Sequence, residues 1–158
     1  MVMYSFVKTQ KIKGGNMTTS LNFFKQYHST VIKALGEDAK KVNAKVGSIM
    51  ADNWADKAGN INSNSEFAKS FENYLKNQLE FAKNVKVNCD EKDYTLDIKG
   101  CAICHGNEIL RKEGMATACP IVQAAKYAAV KKLGRNVITR GVDKPGTVGE
   151  CTIRFELE

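Results

Sequence analysis

The sequence predicts an α+β fold in which N-terminal helices pack on a mostly antiparallel β-sheet, with a further helix between the two C-terminal strand pairs. Apolar residues recur at steps of three and four through the first half of the chain, which is the period of a helix. After Asn84 the period changes to two, as in half-buried strands. The length of 158 residues, with 43 % hydrophobic residues, is enough for one buried core.

The first sixteen residues differ in character from the rest of the chain. Residues 1–16 are basic, end in a Gly-Gly-Asn sequence and carry no helical stripe. We expect them to form a flexible N-terminal extension ahead of a single domain at residues 17–158. Translation from Met17 is an alternative start, which N-terminal mass analysis of protein expressed from its native gene would detect.

Two helices are predicted next. The first covers residues 20–35 and stops at Gly36, a residue type that commonly caps the C-terminus of a helix. Its apolar positions are Leu21, Phe24, His28, Val31, Ile32 and Leu35. The second covers about residues 38–58, and we expect its apolar residues to face the core. These residues are Val42, Val46, Ile49, Met50 and Trp54.

A third helix and a β-hairpin come after these two helices. Ser63 and Glu66 have the spacing of a capping box, which predicts the start of a helix. The inward stripe of this helix is Phe67, Phe71, Leu75, Leu79 and Ala82. Two segments of period two then flank a polar turn at residues 90–93, which predicts a hairpin with one buried face. That face consists of Val85, Val87, Cys89, Tyr94, Leu96 and Ile98.

The remaining elements are a helix and two strands. Residues 100–106 have the composition of a turn, and residues 107–114 that of a short polar connection. A helix is predicted from Pro120 to Leu133, because proline suits the first turn of a helix and a glycine follows its end. Two strands, at residues 137–140 and 150–157, then flank a glycine-containing loop.

Charge and hydropathy narrow the class of protein. The net charge is +7, but the lysines are scattered over several elements and there is no arginine-rich run. This distribution predicts a solvated lysine-rich surface, and we expect no nucleic-acid partner. No apolar run approaches about 18 residues, and the N-terminus lacks the pattern of a signal peptide. We therefore expect a cytoplasmic protein with reduced thiols and no membrane partner.

Four of the five cysteines have a spacing that allows them to meet at one metal ion. They are Cys101, Cys104, Cys119 and Cys151. The first two form a Cys-x-x-Cys pair, and the third directly precedes the predicted helix at Pro120. Such a set predicts a tetrahedral metal site, and zinc is the expected ion. Four thiolates close the coordination shell, which indicates a structural site. If three bind, His105, Glu108 or a water molecule is the fourth ligand, and with water the alternative is a zinc enzyme with hydrolytic chemistry.

Two alternatives stay open for these thiols. Cys101 and Cys104 alone have the spacing of a redox pair in a thiol-dependent protein. Free cysteines are also among the most buried residue types, so the thiols could be inert core residues, as we expect for Cys89. No nucleophile, base and acid can be placed together in the sequence, which makes an enzyme the secondary interpretation.

Three features occur together in the C-terminal third. A helix opens after Cys119, the segment Gly-Arg-Asn-Val-Ile follows that helix at residues 134–138, and the chain closes with Gly-Glu-Cys-Thr-Ile-Arg-Phe-Glu at residues 149–156. In these features the sequence resembles the 4-vinyl reductase domain family. The resemblance implies a small α+β domain that binds a hydrocarbon-like or aromatic molecule.

The resemblance also implies a ligand set for the metal. Metal-binding sensors of that family hold zinc through cysteines near the start of the last helix and in the final strand, where this sequence has Cys119 and Cys151. The family's intervening Glu-x-x-Cys is absent here, and Cys101 and Cys104 would replace it. On this resemblance we expect a homodimer with an apolar pocket between the helices and the sheet. The expected pocket residues are Trp54, Phe71, Leu75 and Tyr127.

Overall fold

A four-stranded antiparallel sheet forms one layer of the protein, and helices cover one of its faces. The computed structural model describes residues 17–158. The strands run in the order β1-β2-β4-β3. Their bounds are β1 Asn84–Cys89, β2 Asp93–Lys99, β3 Val137–Asp143 and β4 Cys151–Leu157. The predicted fold class is therefore confirmed, whereas the proposed N-terminal extension lies outside the described residues.

Five helices accompany the sheet within the described part of the chain. Their bounds are α1 Met17–Leu35, α2 Ala39–Ala58, α3 Asn64–Asn73, α4 Ala102–Lys112 and α5 Pro120–Leu133. A 3₁₀ turn at Gly36–Asp38 joins α1 to α2, and a π-helical turn at Tyr74–Gln78 extends α3. Ser63 is confirmed as the N-cap of α3, because its hydroxyl accepts the amide of Glu66 at 3.2 Å, while the Glu66 carboxylate accepts the amide of Asn62 at 2.8 Å rather than that of Ser63. No helix in this part of the chain is long and apolar enough to cross a membrane.

The core lies between the inner face of the sheet and helices α2, α3 and α5. An aromatic cluster forms its centre. Phe67 meets Trp54 and Tyr94 edge-on, with ring centroids 5.6 Å and 5.3 Å apart. Trp54 also meets Phe71 at 5.0 Å, and Tyr94 stacks on Phe155 at 5.0 Å. Such contacts add to the free energy of burial, so this cluster firmly anchors α2 and α3 on the sheet.

The inward face of α2 differs from the prediction. Its buried residues are Ala39, Asn43, Gly47, Ala51 and Trp54. Of the five residues expected to face the core, Val42, Val46 and Ile49 are exposed. The reason is the close approach of α5, since a Cβ atom added at Gly47 would lie 2.4 Å from the Cβ of Gln123. Small side chains, rather than the valines, allow this contact.

Helix α4 replaces the predicted turn and polar connection at residues 100–114. Its buried face follows a helical period, although two of the four residues on it are not apolar. That face consists of Ile103, Gly106, Asn107 and Leu110. Helix α1 packs on this side of α4, and a Cβ atom at Gly106 would lie 3.0 Å from both the Cβ of His28 and the carbonyl oxygen of Lys25. The apolar pattern of the sequence did not predict this helix, because two positions of its buried face are a glycine and an asparagine.

Candidate metal centre

The four cysteines of the predicted site lie at the starts of three elements. Cys101 is the N-cap residue of α4, and Cys104 is in the first turn of that helix. Cys119 is the N-cap residue of α5, with Pro120 as the first helical residue. Cys151 is the first residue of β4. The observed helix α4 therefore places the Cys-x-x-Cys pair at a helix N-terminus, where the partial positive charge of the amides favours thiolates.

Backbone hydrogen bonds bring these starts to one end of the sheet. Cys151 is paired with Ile98 in the antiparallel β2-β4 ladder, only three residues before Cys101 in the chain. The amide of Cys101 donates to the carbonyl oxygen of Gly149 at 2.9 Å. A Cβ atom at Gly149 would lie 3.2 Å from Nε2 of His105, so the loop before β4 lies close against α4. The antiparallel pairing and this loop contact position two of the three elements.

Cys104 is the central thiol of the group. Its pKa is lowered by hydrogen-bonding interactions with the thiols of Cys101 and Cys151, and further by the positive charges of Lys144 and Arg111. The pKa values of Cys101 and Cys151 are raised, first by their hydrogen-bonding interactions with Cys104 and second by burial. At neutral pH the group therefore favours one thiolate on Cys104, flanked by two protonated thiols.

Cys119 completes the group from the α5 side. Burial raises the pKa of its thiol, while the amides of Ile121 and Val122 act in the opposite direction. The negative charge of Cys104 also raises the pKa of Cys119. Cys89 lies apart from this group, opposite Tyr94 near the β1-β2 turn, and burial raises its pKa to about 11.

The four thiols are suitable ligands for a soft ion with tetrahedral coordination. As positioned, however, the cysteine side chains do not form a complete coordination site. All five cysteines are free thiols. Within residues 17–158, no group of three or more His, Cys, Asp or Glu side chains has the arrangement that would hold a metal ion. Binding of a metal by these cysteines therefore requires their side chains to move closer together and to release protons.

Asn107 positions the segment that leads to Cys119. Its side chain is 5 % exposed and lies on the inner face of α4. Nδ2 donates to the carbonyl oxygen of Ala118 at 3.0 Å, and Oδ1 accepts the amide of Ala118 at 3.3 Å. Nε2 of His28 lies 3.0 Å from the same Oδ1. The sequence did not predict a role for Asn107. The one feature that could have indicated it is its spacing from Ile103 and Leu110, which puts the three residues on one side of a helix.

We expect Asn107→Ala to lower the free energy of unfolding by about 1–3 kcal/mol, because the amide and carbonyl of Ala118 lose their buried partner. Denaturant unfolding measures this loss. Asn22→Ala is the matched control, since Asn22 is an exposed residue of α1 and its replacement should change stability by less than about 0.5 kcal/mol. Equal effects of the two substitutions would contradict the role of Asn107.

A small cavity bordered by charged side chains adjoins Cys104. Its volume is about 200 Å³, and its lining includes Glu108, Arg111 and Lys144 together with the loop at residues 146–150. Arg111 forms an ion pair with Glu108, while its buried Nε has no hydrogen-bond partner among the described residues. Glu108 thus borders the group of cysteines while bound to Arg111. The cavity is smaller than the roughly 300–1,000 Å³ that is typical of pockets for small organic ligands.

The residues expected to line an apolar pocket belong to or border the core. Trp54, Phe71 and Leu75 are 3 %, 0 % and 0 % exposed, and Tyr127 is half-buried on α5. None of the four lines the cavity beside Cys104 or a second cavity of about 340 Å³ on the outer side of β1, β2 and β4. A ligand pocket at these residues stays a prediction.

Comparison with known proteins identifies the family. No curated protein and no solved structure matches the chain significantly. Residues 6–147 match the model of one family, which is not the 4-vinyl reductase family of the resemblance. The matched segment includes α4, the start of α5 and three of the four cysteines, with Cys151 just beyond its end. The chain therefore belongs to the family described as "Putative rubredoxin C-terminal domain".

Proposed function

We propose that this protein is a metal-binding domain in which Cys101, Cys104, Cys119 and Cys151 hold one structural zinc ion. The observation that carries the proposal is that the Cys104 thiol interacts with the thiols of Cys101, Cys119 and Cys151, which lie at the starts of α4, α5 and β4. Four thiols from three elements form a donor set typical of a closed tetrahedral site. The rubredoxin in the family description supports cysteine-based metal or redox chemistry.

The surroundings of Cys104 favour a metal-thiolate centre. Four thiolates around a divalent ion carry a net charge of about −2. Arg111 and Lys144 supply opposite charges next to Cys104, and the amide ends of α4 and α5 add partial positive charges. A bound ion supplies strong electrostatic bonds that connect α4, α5 and β4, while Asn107 holds the approach to Cys119 in place. The residues therefore suit a site whose role is to stabilise the domain.

The choice between zinc and iron is a matter of measurement, because both ions accept four thiolates in tetrahedral geometry. The protein should be purified without a tag and without added metal, under exclusion of oxygen. Elemental mass spectrometry then gives the metal content per chain, and visible absorption after exposure to air separates coloured ferric thiolate from colourless zinc. We expect one zinc ion per chain, and stoichiometric iron would correct the identity of the ion while supporting the site.

Three serine variants test the ligands. We expect Cys104→Ser and Cys151→Ser to lose the metal, because each removes a thiolate from the shared centre. Cys89→Ser is the matched control and should retain it, since Cys89 lies apart from the group. Full metal content in both Cys104→Ser and Cys151→Ser, or no metal in the wild-type protein, would overturn the proposal.

A redox pair is the second candidate function, favoured by the interaction of the Cys104 thiolate with the Cys101 thiol. Oxidation would join the two sulfurs in a disulfide, while oxidised glutathione takes up two electrons and the proton of the Cys101 thiol and is cleaved to two molecules of reduced glutathione. Thiol titration before and after treatment with oxidised glutathione, with and without a chelator, distinguishes the candidates. Rapid reversible loss of two thiols in metal-free protein, absent from Cys101→Ser, supports the redox function.

Binding of a small apolar molecule remains part of the proposal on the 4-vinyl reductase resemblance alone. Trp54 is the one tryptophan of the chain and lies beside Phe71, so its fluorescence reports directly on the expected pocket. Addition of small aromatic compounds should change its emission in a saturable manner if the pocket exists. Unchanged emission would remove this part of the proposal without affecting the metal site.

A further inference from the structure

Helix α2 has an apolar stripe that faces away from its own core. Val42, Val46 and Ile49 are 36 %, 40 % and 46 % exposed. At about 3.6 residues per turn they lie within roughly 60° of one another, next to the exposed Asn53. The opposite face of the helix is the small-residue face that packs on α5. Burying this stripe against another surface would be favourable, because apolar side chains gain free energy when they leave water.

Charged residues beside the stripe indicate what would cover it. Lys41, Lys45, Asp52 and Asp56 form a second strip, also about 60° wide, along one flank of the valines. The lysines occupy its N-terminal half and the aspartates its C-terminal half. Within residues 17–158, Lys41, Lys45 and Asp56 form no ion pair. Asp52 forms an ion pair with Lys131, and its side chain remains 46 % exposed.

This strip is complementary to a copy of itself only when the copy runs in the opposite direction. In an antiparallel pair of helices related by a two-fold axis, the same flank of each helix faces its counterpart. Lys41 then lies opposite Asp56 of the second copy, and Lys45 opposite Asp52, and both pairs share the same centre between Ser48 and Ile49. In a parallel two-fold pair the strips would lie on opposite sides of the contact, where the lysines of one copy could not pair with the aspartates of the other.

We propose that α2 is the interface of a homodimer, in which the Val42, Val46 and Ile49 stripes of two copies pack antiparallel and the flanking lysines pair with the flanking aspartates. The apolar contact supplies affinity, and the charge pairs select the antiparallel direction. One helix pair is a small contact by comparison with the roughly 800 Å² per partner of a standard interface, so the dimer dissociates reversibly on dilution. The proposal is independent of the metal site.

Sedimentation velocity over a wide range of concentrations tests the apolar contact. The wild-type protein should shift from monomer to dimer as its concentration rises. Val46→Glu should raise the dissociation constant at least tenfold, because two carboxylates would meet near the axis. Val142→Glu is the matched control, since Val142 on β3 is 41 % exposed and its replacement should leave the dissociation constant unchanged. A wild-type protein that stays monomeric, or a Val46→Glu dimer of unchanged affinity, would overturn the proposal.

A charge exchange tests the direction of the helices. Lys41→Asp alone and Asp56→Lys alone should each weaken the dimer, because each places like charges opposite one another. The double variant Lys41→Asp with Asp56→Lys should recover the wild-type dissociation constant, since the exchanged pair is again complementary. Circular dichroism confirms that each variant is folded. A double variant that is weaker than either single variant would overturn the antiparallel arrangement.

Discussion

Removal of the metal is expected to lower the unfolding temperature of the wild-type protein and to leave that of Cys104→Ser unchanged. An ion that binds only the folded state stabilises it by about 2.7 kcal/mol when its concentration is 100 times its dissociation constant. For a domain of this length, that energy corresponds to roughly 5–10 °C in the unfolding temperature. The effect is large because the ion would connect three elements whose starts lie far apart in the sequence.

Thermal unfolding monitored by circular dichroism, with and without a chelator, measures this effect. Readdition of zinc to the chelated wild-type protein should restore the original unfolding temperature. Cys89→Ser serves as the control and should respond to the chelator as the wild type does, because this thiol lies near the β1-β2 turn. A similar response in Cys104→Ser would show that the chelator acts elsewhere. A wild-type protein that is insensitive to it would contradict a stabilising role for the metal.

Gly47→Val is expected to lower the free energy of unfolding by about 3 kcal/mol or more, at the upper end of the cost of overpacking. A Cβ atom at Gly47 would lie 2.7 Å from the backbone nitrogen of Ala124 and 2.8 Å from the carbonyl oxygen of Pro120. Backbone atoms cannot rotate away as a side chain can, so α5 must move as a unit. Because α5 begins next to Cys119, this movement should also weaken metal binding.

Denaturant unfolding and a competitive zinc titration measure the two effects on Gly47 variants. Gly47→Ala adds less volume and should cost about 1–3 kcal/mol, which keeps the test useful if Gly47→Val does not fold. Lys40→Val is the control, because it introduces the same side chain at an exposed position of the same helix, away from the Val42, Val46 and Ile49 stripe. If Gly47→Ala is as stable as the wild type, the close contact between α2 and α5 is not tight in solution.

The exposed stripe on α2 shows how a correct pattern led to a wrong orientation. Val42, Val46 and Ile49 have the spacing of a buried helical face, and the sequence predicted that they face inward. The spacing of apolar residues shows that they share one side of a helix, but it does not show which surface that side packs on. The core-facing side was determined by the size of Gly47 and Ala51, which a hydropathy pattern does not register.

Local signals in the sequence determined most of the elements of this protein. The alternation after Asn84, the cap at Ser63 and the proline at residue 120 each predicted an element that the structure contains. These signals are reliable because they act over a few residues, through hydrogen bonds and side-chain periods that the neighbouring sequence fully specifies. The cysteine spacing likewise predicted the residues of the metal site, and that site stays a prediction.

Only the tertiary structure decided how those elements meet. Helix α4 was not predicted, because Gly106 and Asn107 occupy positions on its buried face where apolar residues were expected. Gly106 leaves room for α1, and Asn107 forms a hydrogen bond with Ala118. The charges of Arg111 and Lys144 beside Cys104, and the contact of the Gly149 loop with α4, come from residues distant in the sequence. Packing and electrostatics depend on distances in space, and those are fixed by the whole fold rather than by any local pattern.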